Sequence, residues 1–202
     1  MKIIRNTKQK IIEAAGALFV THGFGNVSMD AVAEAAGFTK ATVYQHVKSK
    51  EELLLDCLKW RLASREAHLE RYFAARRGSI NGVLGIFSWM ALKGGRGAFH
   101  GCAFLKAAAE MAPTLPAVRT IALEAKRLLR DRIVTLLAQA EIEDPDHIGD
   151  VLALLLEGAQ ALSLLEQTPR AFTMARCAAA AWLSLHAAGR PAAPSAKIKA
   201  QR

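Results

Sequence analysis

A chain of 202 residues, 52% of them apolar, can bury a substantial core and can hold one large domain or a small domain joined to a larger one. Its 27 basic against 18 acidic side chains leave a formal net charge of +9, which favours an anionic partner such as nucleic acid or an acidic membrane surface. The three cysteines, Cys57, Cys102 and Cys177, are far apart and make no CxxC or Cys/His pair. They point to neither a disulfide framework nor a zinc site, and the expectation is three reduced, mostly buried thiols.

No apolar stretch follows the basic N-terminal residues as a secretory signal requires, and no apolar run reaches the ~18–20 residues of a membrane span. A soluble, cytoplasmic protein without membrane contact is expected. Period-2 alternation is missing and Ala, Leu, Glu, Arg and Lys dominate, so the fold reads as all-α.

The first helix is expected from Thr7 to His22, with Ile11, Ala15, Leu18, Phe19 and His22 on one face, Asn6 as N-cap, Gln9 three residues on, and Gly23 as the stop. Ser28 caps a second helix over Met29–Ala36 that turns Met29, Val32, Ala33 and Ala36 inward, and Gly37 ends it. Thr39 caps a third helix, Lys40–Val47, and Ser49 with Glu52 forms the S-x-x-E box of a longer fourth helix running to about Ala75. Beyond Gly78, four or five longer helices are bounded by Gly94-Gly95, Gly97 and Gly101, by Pro113 and Pro116, by Asp144-Pro145, by Thr168-Pro169 and by Gly189. Val118–Ala140 carries a one-sided apolar stripe of Val118, Ile121, Ala125, Leu128, Leu129, Leu136 and Leu137.

Val151–Leu165 and Ala171–His186 are apolar almost all round, broken inside by Glu157 and Arg176 respectively, and such helices need cover on more than one side. A second copy of the chain is the simplest cover. Leu154, Gly158, Ala161, Leu165, Ala178, Ala181 and Trp182 are therefore the candidate dimer contacts. The tail Arg190–Arg202, rich in Pro, Ala and Lys, reads as mobile.

Two short capped helices joined by a tight Gly-containing turn are the geometry of a helix-turn-helix. The third helix is short and polar enough to enter a major groove, and it offers Thr39, Lys40, Thr42, Tyr44, Gln45 and His46, none of them useful in a core. Lys48 and Lys50 follow, where phosphates can be met together with backbone N–H groups. The segment from Ser28 to Leu53, SMDAVAEAAGFTKATVYQHVKSKEEL, closely resembles the DNA-binding signature of the TetR family of transcriptional regulators. Ile11–Phe19 and Gly23-Phe24 resemble that family's first helix and turn. The resemblance covers about residues 7–55. It implies an all-helical homodimer whose two N-terminal heads bind a palindromic DNA operator and whose C-terminal domain binds a small effector that weakens DNA binding, with repression as the common mode. It also implies that Tyr44 and His46 touch the DNA backbone, that Lys50 pairs with a phosphate, and that Ser28 caps its helix and can meet a phosphate. Val47 stands where the family most often has an aromatic residue, which predicts looser packing of the third helix on the fourth.

The division expected is residues 1–50 as reader, 51–189 as effector-binding and dimerisation domain, and 190–202 as a basic tail. Residues 101–110 resemble a segment found in one subset of the family, with Lys106 where Asn is frequent. Aromatic and sulfur side chains around it, Phe87, Trp89, Met90, Phe99, Phe104 and Met111, with His100, Lys106, Glu110 and Glu157 as polar groups, are the candidate lining of a pocket for a small, largely apolar effector. Glu157 faces that pocket or pairs with Arg176 or with an arginine of a second subunit. Cys102, near His100 and Lys106, is a candidate redox-sensing thiol. Neither a cofactor nor a metal is expected. No nucleophile elbow, P-loop or dinucleotide glycine pattern supports an enzyme. A non-specific architectural DNA binder is the rival to a sequence-specific regulator.

Overall fold

The computed structural model describes residues 2–74, 80–94 and 99–187, and among these every regular element is an α-helix. In chain order they are α1 (Lys2–His22), α2 (Met29–Ala36), α3 (Lys40–His46), α4 (Lys50–Ala74), α5 (Ile80–Gly94), α6 (Ala103–Met111), α7 (Pro116–Gln139), α8 (Pro145–Glu166) and α9 (Arg170–Ala187). The basic tail from Arg190 lies outside the described residues.

Local chemistry sets the short helices. Ser28 Oγ accepts the Ala31 N–H to open α2, and Gly37, at φ 74°, closes it from the left-handed region that a side chain disfavours. Thr39 Oγ1 accepts the Thr42 N–H to open α3, whose C-cap is Val47. Ser49 Oγ accepts the Glu52 N–H at the start of α4, while Glu52 reaches back to the Lys48 N–H rather than to Ser49 itself.

The first helix departs from expectation at its start. It runs back to Lys2, so Asn6 lies inside a turn and is no cap, and Gln9 hydrogen-bonds Glu13 one turn on. Ile11, Ala15 and Phe19 are buried as expected, but Ile12 joins them and His22 is exposed. The reason is that α1 packs against both α2 and α4, which turns the buried face toward Ile12. The Cys57 thiol of α4 donates to the Ile12 carbonyl there. Burial, with Asp56 alongside, pushes Cys57 up to about 12. Cys57 is the one buried thiol, Cys102 being half-buried and Cys177 exposed.

Two apolar clusters fill the molecule. The first joins α1, α2, α3 and the start of α4 to Phe104 and Ala107 of α6 and to Val118–Ala125 of α7. Val47 sits in it at 2% exposure, so the position is filled. The second joins the end of α4, α5, the later turns of α7, α8 and α9. Helices α4 and α7 run through both clusters, so the head is built on the same two rods as the rest of the chain.

At Gly149 of α8 an added Cβ would stand 2.5 Å from Val134 Cγ2, a close approach that seats α8 on α7. The 22 residues and mean hydropathy of 1.6 make α8 long and apolar enough to cross a membrane, which the expectation of no such run had not recognised. Its Ile148, Leu152 and Leu156 are nonetheless at 0% exposure, covered by α7 and α9 in the manner of a core helix.

Candidate functional site

Helix α3 turns Val43 fully inward and leaves Lys40, Tyr44 and Gln45 exposed, with Thr42 and His46 half-buried. Tyr44 keeps 46% of its surface in solvent although its ring is large and apolar. Ser28, Thr39 and Lys48 are also exposed. The nine residues singled out as DNA contacts therefore occupy the N-cap of α2, the α2–α3 turn, α3 and the entry to α4. Two of the cations are engaged within the protein. Lys40 Nζ lies 2.9 Å from Asp30 of α2, and this hydrogen bond and the carboxylate charge raise its pKa. Lys50 Nζ stands 4.2 Å over the Phe24 ring and 3.4 Å from the Gly25 carbonyl.

A connection missing from the sequence reading holds this head from behind. Lys106 of α6 donates to the Val20 carbonyl at 2.6 Å, placing a cation at the C-terminal end of α1. One turn on, Glu110 accepts the N–H groups of Phe24 (2.9 Å) and Gly25 (2.6 Å) in the α1–α2 loop. Both contacts span about the same 85 residues of sequence, and nothing local in either partner announces them. A narrow crevice of about 30 Å³ separates the two parts, with Arg61, Lys106 and Glu110 on its wall.

Behind that crevice lies a cavity of about 300 Å³ between α4, α5, the start of α6 and α8. Trp60, Trp89, Met90, Phe99 and Phe104 form its apolar wall, and Arg61, Ser64, Arg65, His68, Cys102 and Gln160 its polar one. Gln167 fastens the approach to α6 by pairing with both the N–H and the carbonyl of Phe99. Of the expected lining, the structure gathers Trp89, Met90, Phe99 and Phe104 here. The others lie elsewhere. Phe87 is wholly buried in the second cluster and borders a separate groove between α5 and α9. Met111 packs against the first cluster, and His100 is half-buried off the cavity wall. Glu110 is spent on the α1–α2 loop. Glu157 pairs with Lys126 of α7 at 2.5 Å and takes a hydrogen bond from Gln160, while Arg176 is exposed on α9.

The polar half of the cavity was missed in the sequence, although Arg61, Ser64, Arg65 and His68 follow the i, i+3, i+4, i+7 spacing of one helix face. Cys102 caps α6 with no side-chain cap bond, and Lys126 Nζ approaches its sulfur to 3.3 Å. Among the described residues no group of three metal-ligating side chains occurs.

On the outer faces of α8 and α9, Leu154 (72% exposed), Leu165 (79%), Gly158, Ala161, Ala178 and Ala181 are open to solvent, and Trp182 is half-buried.

A capped two-helix reader on a three-helix head, with six further helices among the described residues packed beside it around a cavity, defines a helix-turn-helix protein whose described C-terminal part is all-helical. Residues 11–57 match the family model for bacterial regulatory proteins of the tetR family. Over that segment the chain is similar to the TetR family of transcriptional regulators, a family of regulators rather than enzymes.

Among its relatives are the uncharacterized HTH-type transcriptional regulator TtgW of Pseudomonas putida, 39% identical over 34% of this chain and 48% of that one. The HTH-type transcriptional regulator SrpR, also of Pseudomonas putida, is 40% identical over 33% of this chain and 30% of its own length. Each match thus spans less than half of the curated relative. The fold extends further. A TetR transcriptional regulator from Chloroflexus aurantiacus superposes with a TM-score of 0.80 at 22% identity, covering 91% of this chain and 97% of that one.

Proposed function

We propose that this protein is a cytoplasmic, effector-controlled repressor that binds a palindromic operator as a homodimer. The observation that carries this reading is α3 itself, a helix of seven residues held between a Thr39 cap and a Val47 core anchor, with its polar side free. Thr39, Lys40, Thr42, Tyr44, Gln45 and His46 read or touch the major groove. Ser28, Lys48 and Lys50 meet the phosphates, Lys50 after leaving Phe24 and Gly25. The family match and its regulator relatives support the same assignment.

The effector is small, largely apolar, and sits in the 300 Å³ cavity, a volume at the lower end of ordinary ligand sites. Release follows from the placement of α6. This nine-residue helix starts in the cavity wall at Cys102–Phe104 and ends on the head through Lys106 and Glu110. A ligand that displaces its first turn displaces the two contacts that hold α1 and the α1–α2 loop. The DNA-competent head is then lost by a shift between two packings of one helix.

Selection of bound sequences from a random duplex pool tests the regulator claim. One enriched palindrome is expected, with half-sites about one helical turn apart. Uniform recovery of sequences with a steep salt dependence would instead make the protein a non-specific architectural binder.

A further inference from the structure

We propose that the cavity takes an organic anion, a carboxylate on a flat apolar body, and that Arg65 receives its charge. This rests on the effector reading above and narrows it, by assigning the ligand a negative head that a purely apolar effector lacks.

The argument starts on α4. Arg61, Ser64, Arg65 and His68 lie on one face of that helix, and all four line the cavity, while no carboxylate does. Arg65 Nη2 is buried there without a hydrogen-bond partner, and among the described residues no ion pair holds either arginine. Burial lowers the hold of both guanidiniums on their protons, which marks them as poorly solvated.

The acid whose charge acts on Arg65, Glu157, has its own partners. It holds Lys126 with one oxygen and Gln160 with the other. The Cys102 sulfur beside them is itself approached by Lys126. The polar wall thus carries two guanidiniums whose protein neighbours leave them uncompensated, a costly arrangement in an unliganded protein.

A planar guanidinium fork matches a carboxylate through two parallel N–H···O bonds. The apolar lining of Trp60 on α4 and of Trp89, Phe99 and Phe104 suits a flat apolar body and not a bare inorganic ion. Arg61 borders both this cavity and the crevice under the head, so an anion drawn to the α4 face acts directly on the rod that both share.

The test uses the full-length protein without DNA. Benzoate, phenylacetate and 1-naphthoate are each titrated against the corresponding carboxamide, followed by tryptophan fluorescence from Trp60 and Trp89 and by calorimetry. At least one acid is expected to bind tenfold or more tightly than its amide. In Arg65→Met that preference should disappear while the amide's affinity stays within about twofold. The same variant should melt no lower than the parent protein, because an uncompensated charge has been removed. If every acid binds no better than its amide, or the preference survives in Arg65→Met, the proposal is overturned. The acid–amide comparison in the unaltered protein decides the question whether or not the variant folds. Since DNA is absent, failure here leaves the operator selection standing, and failure of that selection leaves this result standing.

Discussion

Tyr44 shows what a single side chain contributes to the head. Its ring is nearly half exposed on α3, where it makes no contribution to the core that Val43 and Val47 fill. Removal of that ring should therefore leave the fold alone, since surface substitutions away from special features stay within about 0.5 kcal/mol. If Tyr44 lies against the operator, Tyr44→Ala weakens specific binding at least tenfold, or about 1.4 kcal/mol or more, with an unchanged melting temperature. Gel-shift titration against the selected palindrome, beside a melting curve, separates the two effects. Retained affinity would mean that α3 is not the reading helix. At this scale much was legible in advance. Ser28, Gly37, Thr39 and Ser49 announce themselves because a cap is settled by atoms within three or four residues. Glu110 was legible only as a charge near aromatic residues. Its partners, Phe24 and Gly25, are brought to it by packing across 85 residues of chain.

The helix that carries Glu110 is the element on which coupling turns. Lys106 places a cation on the carbonyl end of α1, and Glu110 takes two successive N–H groups of the following loop. Glu110→Gln keeps one acceptor but turns an amide group toward the other N–H, so one of the two bonds is lost. The side chain is exposed, and the effect on global stability should be small. Local opening is more sensitive. Hydrogen exchange at the Phe24 and Gly25 amides is expected to accelerate about tenfold, while exchange at Leu152 and Leu156 in the second cluster stays fixed. Equal protection of the loop in both proteins would remove α6 from the coupling route. The boundaries of α2, α3 and α4 followed the sequence closely because caps and glycines punctuate them. The start of α1 did not, since nothing in its first residues forbids further turns and the Asn6 signal was overridden. The basic face of α4 escaped notice for a related reason. Charges at helical spacing usually mark a solvated side, and only the arrangement of α5, α6 and α8 makes this one the wall of a cavity.

For the molecule as a whole, the unresolved demand is cover for α8 and α9. The sequence showed helices apolar all round, and the structure divides each into a buried and an open face. On α8, Ile148, Leu152 and Leu156 meet α7 and α9, while Leu154, Gly158, Ala161 and Leu165 recur at i, i+4, i+7 and i+11 along the solvent side. On α9, Met174, Ala178, Ala181 and Leu185 repeat the same spacing on an exposed side. Exposed apolar stripes of this length are rare on monomers and fit the homodimer proposed for a reader of palindromes. Gly158 gives a clean test. An added Cβ there meets nothing within 4 Å in the single chain, so a leucine costs the protomer little beyond what any surface substitution does. Against a second α8 packed at small residues, the same leucine holds the helices apart. Gly158→Leu should therefore sediment as a monomer at micromolar concentration with an unchanged helical spectrum. Its operator affinity should fall at least tenfold, because each head then binds its half-site alone. A dimer of unchanged mass would place the interface on another face. A monomer that still bound the full palindrome as tightly as the parent protein would sever dimerisation from DNA reading.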